Sequence, residues 1–106
     1  MKETILALAK LGKIPNEDDL SDELFRQYDS LIQTDEPLTY EEAEVLMPLF
    51  SDDCYDLNDG LMRVIETVPI DMQNPAQYRA LIAKCGNAEF REMMENRLNN
   101  TLKNAP

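Results

Sequence analysis

The chain predicts an all-α fold of about six short helices packed as antiparallel hairpins, and three observations carry that expectation. Apolar residues recur at helical spacing in one segment after another. Between those segments stand capping residues, prolines and glycines, the punctuation of helix ends. No stretch alternates apolar and polar residues over strand length. The 106 residues form one domain, 1–106, with 43% hydrophobic and 29% charged residues, a globular balance.

In the first segment, residues 2–11, Ile5, Leu8, Ala9 and Leu11 fall near one side of a helix that Gly12 can end. Residues 13–19, with Pro15 and Asn16, read as a loop. Ser21 is placed to cap a second helix, with Asp22 and Glu23 in its first turn. Leu20 and Phe25 occupy the two positions of a hydrophobic staple, and Leu24, Tyr28, Leu31 and Ile32 continue the apolar stripe. Asp35-Glu36-Pro37 breaks the chain, and Thr39 with Glu42 forms the sequence of a capping box. The third helix carries Ala43, Val45, Leu46, Leu49 and Phe50, with a kink or end expected near Met47 because Pro48 follows.

The fourth segment is the most strongly patterned. Leu57, Leu61, Val64, Ile65 and Val68 line one face, while Asp59, Arg63 and Glu66 line another, where the arginine can pair with either acid. Ser51, Asp52 and Asp53 offer caps before it, and Pro69 marks its end. Gly60, inside this helix, suggests a close neighbour. Beyond it, Asn74-Pro75-Ala76-Gln77 supplies a cap, a first-turn proline and a capping-box glutamine. Tyr78, Leu81, Ile82 and Cys85 face inward on the fifth helix, which Gly86 closes. Asn87 opens the sixth, with the stripe Phe90, Met93, Met94, Leu98 and Leu102, and the polar tail from Asn99 to Pro106 is expected to fray.

Charge narrows the function. Asp and Glu number 21 against 10 Lys and Arg, a net charge of −11. Of these acids, 15 lie between Glu17 and Asp59, where Arg26 is the single base, a local balance of −14 against +3 for the rest. A phosphate backbone would be repelled, so direct nucleic-acid binding is not expected, whereas a basic protein surface is a natural partner. Helix starts favour only a few acids each, which leaves a surplus available for recognition.

The absence of histidine removes the commonest general base and the usual zinc ligands, so an enzyme is not expected. Cys54 and Cys85 have no close-spaced partner and read as reduced, buried thiols. Residues 52–60 have the composition of a calcium loop but no register fits. Counting from Asp56, Gly60 falls at position 5 and Thr67 at 12; counting from Asp53, Tyr55 falls at position 3. No metal, cofactor or membrane partner is expected. The apolar run at Ile5–Ala9 is too short for a signal peptide and Lys10 follows it, so a cytoplasmic location is expected.

Residues 49–69 carry one family resemblance. Asp52-Asp53-Cys54-Tyr55, then Leu57, then Leu61-x-x-x-Ile65-Glu66-Thr67-x-Pro69, resembles the signature of small HEAT-like helical bacterial proteins. Many of those are immunity proteins of polymorphic or contact-dependent toxin systems. The resemblance implies stacked HEAT-like helices and a cognate toxin domain as partner. Relatives tend to have Gly, small and Trp residues where this chain has Asp56, Asn58 and Asp59, and His where it has Arg63. An acidic recognition surface in place of an aromatic one is the implied difference.

The expected function is therefore immunity: Asp18, Asp19, Asp22, Asp52, Asp53, Asp56 and Asp59 would meet the lysines and arginines of a basic toxin domain, a nuclease fitting best. Two other classes remain open: a helical adaptor or regulatory subunit, and a DNA-mimicking inhibitor.

Overall fold

The structure, a computed structural model, describes residues 1–104. It contains six α-helices: α1 Glu3–Leu11, α2 Asp22–Ile32, α3 Tyr40–Leu46, α4 Tyr55–Ile65, α5 Pro75–Ile82 and α6 Ala88–Lys103. Short 3-10 turns occupy Glu17–Asp19 and Met47–Leu49, and the described residues form no strand. The fold is all-α. No helix among the described residues is long and apolar enough to cross a membrane.

Hydrogen bonds between neighbouring segments fix the topology. Lys2, at the start of α1, donates from Nζ to Pro37 O beyond the end of α2, and Tyr28 Oη in mid-α2 donates to Gly12 O at the end of α1, so these two helices are antiparallel. At one edge of the molecule Lys2 N reaches Glu42 at the start of α3, and at the other Ile14 N donates to Leu49 O beyond its end, so α1 and α3 run parallel. The same reasoning makes α2 parallel to α4, from Glu17 N to Asp53 Oδ1 at one end and Leu38 N to Thr67 Oγ1 at the other. Tyr40 Oη to Gln77 O and Gly86 N to Met47 O align α5 with α3. Three helical hairpins are thus stacked in two layers, α1-α3-α5 over α2-α4-α6, the layering of a short α-solenoid.

The core lies between the layers. Ile5, Leu8, Tyr28, Leu46, Phe50, Leu57, Leu61, Ile65, Leu81 and Ile82 are all buried there. In α4, Leu57, Leu61, Ile65 and Val68 are buried as the periodicity requires, and Gly60 lies against α2: a Cβ there would stand 3.3 Å from Ile32 Cγ2. The Ser21 cap, the Thr39–Glu42 capping box and the Asn87 cap all form. Gly12, with φ of +82°, ends α1. After α3 the chain tightens into the 3-10 turn at Met47, because Pro48 has no N–H for the α-helical ladder.

Several local expectations are corrected. Residues 13–19 contain a 3-10 turn rather than being wholly irregular. α4 ends at Ile65, four residues before Pro69. Asn74 makes no side-chain cap, so the Asn74–Gln77 box is absent. Gly86 does not end α5, which stops at Ile82; a Cβ on it would stand 3.2 Å from Pro48 O, and close backbone approach is what glycine permits there. The tail through Lys103 is helical, since Leu98 and Leu102 still pack on the core, while Ala105 and Pro106 lie outside the described residues. Ala9 and Met93 point outward rather than into the core.

Candidate functional acidic edge

The loops that join α1 to α2, α3 to α4 and α5 to α6 all fall on one edge of the stack. Ser21 and Asn87 end two of them as caps, whereas the middle loop is closed by Ser51: its hydroxyl accepts from Asp53 N at 3.3 Å and Cys54 N at 3.1 Å. This leaves Asp52 and Asp53 free of the α4 cap that their position suggested. Asp53 instead accepts from the Glu17 N–H of the first hairpin, at 2.8 Å. Lys13 Nζ reaches Asp52 Oδ1 at 2.9 Å beside it.

This bond brings Glu17, Asp18 and Asp19 next to Asp52 and Asp53, with Asp56 in the first turn of α4. All six are exposed, and Asp22 is exposed in the first turn of α2 at the same edge. Part of this charge has a local cause, because the N-terminal ends of α2, α4 and α6 converge here and favour carboxylates. The seventh proposed residue, Asp59, sits one turn further along α4 and bonds Arg63 at 2.9 Å, so it is already paired within its own helix. Glu66 pairs with Arg97 of α6, not with Arg63. Asp18, Asp19, Asp22 and Asp56 make no ion pair among the described residues.

Not every acid of the 17–59 stretch belongs to this edge. Asp35 and Glu36 lie in the α2–α3 loop at the opposite edge, and Glu44 pairs with Lys84. Glu42 is buried and fully engaged: its two oxygens accept from Lys2 N at 2.7 Å, Lys2 Nζ at 2.8 Å and Thr39 N at 3.0 Å. The Lys2 ammonium, followed by the two N–H donors, holds its carboxyl well down, at a pKa of about 2. Asn58, which the family resemblance implies to lie on the recognition surface with Asp56 and Asp59, is instead completely buried. Its amide clamps Ser51, accepting from Ser51 N at 2.7 Å and donating to Ser51 O at 2.9 Å.

Tyr55 emerges at this edge from the structure. It is 53% exposed, its ring stacks at 6.0 Å on that of Phe90, and its hydroxyl donates to Glu89 Oε2 at 2.9 Å. Glu89, in the first turn of α6, thereby joins the edge and pushes the Tyr55 phenol pKa up. The sequence offers no local sign of this pairing across 34 residues. The result is an aromatic ring, held from below and beside by α6, among carboxylates from three hairpins.

Elsewhere the surface is more nearly balanced. A groove of about 420 Å³ between α6 and the α4–α5 loop is lined by Glu66, Ile70, Tyr78, Met94, Arg97 and Leu98, and its acid and base bond to each other. Cys54 and Cys85 are free and buried, and burial pushes both thiols up, away from the reactive thiolate. Among the described residues no three His, Cys, Asp or Glu side chains converge as a metal site. No family model matches the chain, and no match was found among curated proteins or solved structures.

Proposed function

We propose that this chain is an immunity protein, acting in the cytoplasm, that binds a cognate bacterial toxin domain through its acidic edge and neutralises it. The observation that carries this reading is the Glu17 N–Asp53 Oδ1 bond, which merges two acidic loops beside an exposed tyrosine. Unpaired carboxylates of one sign raise the encounter rate with a basic surface and disfavour acidic competitors. An aromatic anchored by a second helix is the residue type that dominates protein interfaces. The resemblance of residues 49–69 to toxin-immunity proteins supplies the class of partner. Inhibition then follows from occupancy: Asp18, Asp19, Asp22, Asp52, Asp53 and Asp56 engage lysines and arginines that otherwise hold the toxin's substrate.

Affinity capture with the tagged chain from its native host, followed by mass spectrometry, tests this. The expected result is a basic domain that is toxic when expressed alone and harmless when co-expressed with this chain. Reversal of Asp52, Asp53 and Asp56 to Lys should abolish that protection while the helical content is retained. Capture of a constitutive complex with no toxic member would replace the reading with that of a helical adaptor, for which a stacked-hairpin scaffold is equally suited.

A further inference from the structure

Ser51 is fully buried, yet it is followed at once by two exposed carboxylates. Each of its polar groups is engaged. Its hydroxyl donates to Pro15 O at 2.8 Å, its N–H donates to Asn58 Oδ1, and its carbonyl accepts from Asn58 Nδ2 and Asn87 Nδ2, each at 2.9 Å. Asn58 lies only seven residues away within the same hairpin. Asn87 comes from the third hairpin, and its Nδ2 also lies 3.4 Å from Asp52 O. On its other side, Asn87 Oδ1 accepts from Phe90 N at 3.0 Å and caps α6.

We infer that Asn87 is a positioning residue for the acidic edge: its amide locks the Ser51–Asp53 loop to the helix that holds Tyr55. The same first turn of α6 carries Glu89 and Phe90, which fix the Tyr55 hydroxyl and ring. One buried side chain, 8% exposed, therefore couples the direction of Asp52 and Asp53 to that of the aromatic. The position needs an acceptor for Phe90 N and a donor for two carbonyls at once, which an amide provides. Aspartate keeps the acceptor and loses the donor; serine keeps the cap but is one atom too short to span both. A preorganised edge loses less freedom on binding. The functional consequence rests on the partner-binding reading, while the positioning itself is decided on the free chain.

The test compares wild type, Asn87→Ser and Asn87→Asp by amide hydrogen exchange across the full chain, with global stability taken from urea unfolding. Exchange at Ser51, Asp53 and Cys54 should rise about tenfold in both variants, while Glu42 and Ala43, at the opposite edge, change only with global stability. Unchanged exchange in the 51–54 loop, or a uniform rise throughout the chain, would overturn the inference. The uncharged Asn87→Ser variant should also bind the captured basic domain about tenfold more weakly with an unaltered salt dependence. If wild type captures no basic domain, the immunity reading fails while the exchange measurement still decides the role of Asn87.

Discussion

The main-chain N–H of Glu17 donates to the carboxylate of Asp53 at 2.8 Å, joining the first hairpin to the second across 36 residues. An acid thus serves as the N-terminal acceptor of a 3-10 turn that is itself Glu-Asp-Asp. The attraction between a carboxylate and an N–H donor here offsets repulsion among five neighbouring acids.

Asp53 should consequently divide into two separable properties. Asp53→Asn retains an acceptor for Glu17 N and should change stability by less than about 0.5 kcal/mol. Asp53→Ala should cost about 1 kcal/mol. Urea unfolding of both variants measures the difference, and equal stabilities would show that the bond contributes nothing. Asp53→Asn is then the control that isolates charge in partner binding.

Glu42 makes acid stability traceable to one residue. Its carboxyl titrates at about 2 in the folded chain against an ordinary 4.5, so the folded state binds its proton more weakly than the unfolded state does. Its contribution is complete above about 4.5 and is lost as pH falls through about 2. Replacing Glu42 alone separates its contribution from that of every other acid. The informative quantity is therefore the difference between wild type and Glu42→Gln, which should shrink as pH is lowered from 6 to 2. A difference independent of pH would remove Glu42 from the acid limb. Thr39→Ala, which takes away the other half of the box, should cost about 1 kcal/mol at pH 7.

The two glycines facing neighbours should respond unequally to alanine. At Gly60 the obstacle is the Ile32 methyl at 3.3 Å, which can shift, and helix propensity gains about 1 kcal/mol, so Gly60→Ala should be near neutral. At Gly86 the obstacle is the Pro48 carbonyl at 3.2 Å, which is backbone, and Gly86→Ala should cost about 1–3 kcal/mol. Melting temperatures of the pair give the ordering, and a Gly60→Ala loss exceeding that at Gly86 would contradict it.

Core and buried polar sites of α4 should both be sensitive, for different reasons. Leu61→Ala removes a fully buried side chain and should cost about 2–5 kcal/mol. Asn58→Ala strands the Ser51 N–H inside the protein, and should cost about 1–3 kcal/mol. Asn58→Leu, which fills the volume, should recover none of that loss, since the deficit is a missing acceptor. Recovery by leucine in thermal unfolding would mean that packing rather than hydrogen bonding sets the site.

Sequence by itself determined the helices, their capping at Ser21, Thr39–Glu42 and Asn87, the core face of α4, and the acidity of residues 17–59. Each depends on neighbours within about four residues or on composition, which a linear reading contains. Tertiary structure alone decided which acids share a surface: it placed Asp53 against Glu17, sent Asp35 and Glu36 to the far edge, buried Glu42 on Lys2 and drew Glu66 to Arg97. It also turned Asn58 and Asn87 inward onto Ser51 and stood Tyr55 over Phe90. Except for the turn of Asn58, these outcomes join or separate segments that meet only when the hairpins stack. Polar side chains carry no periodic signature of where they will point, because their direction is set by the backbone groups that packing leaves unsatisfied.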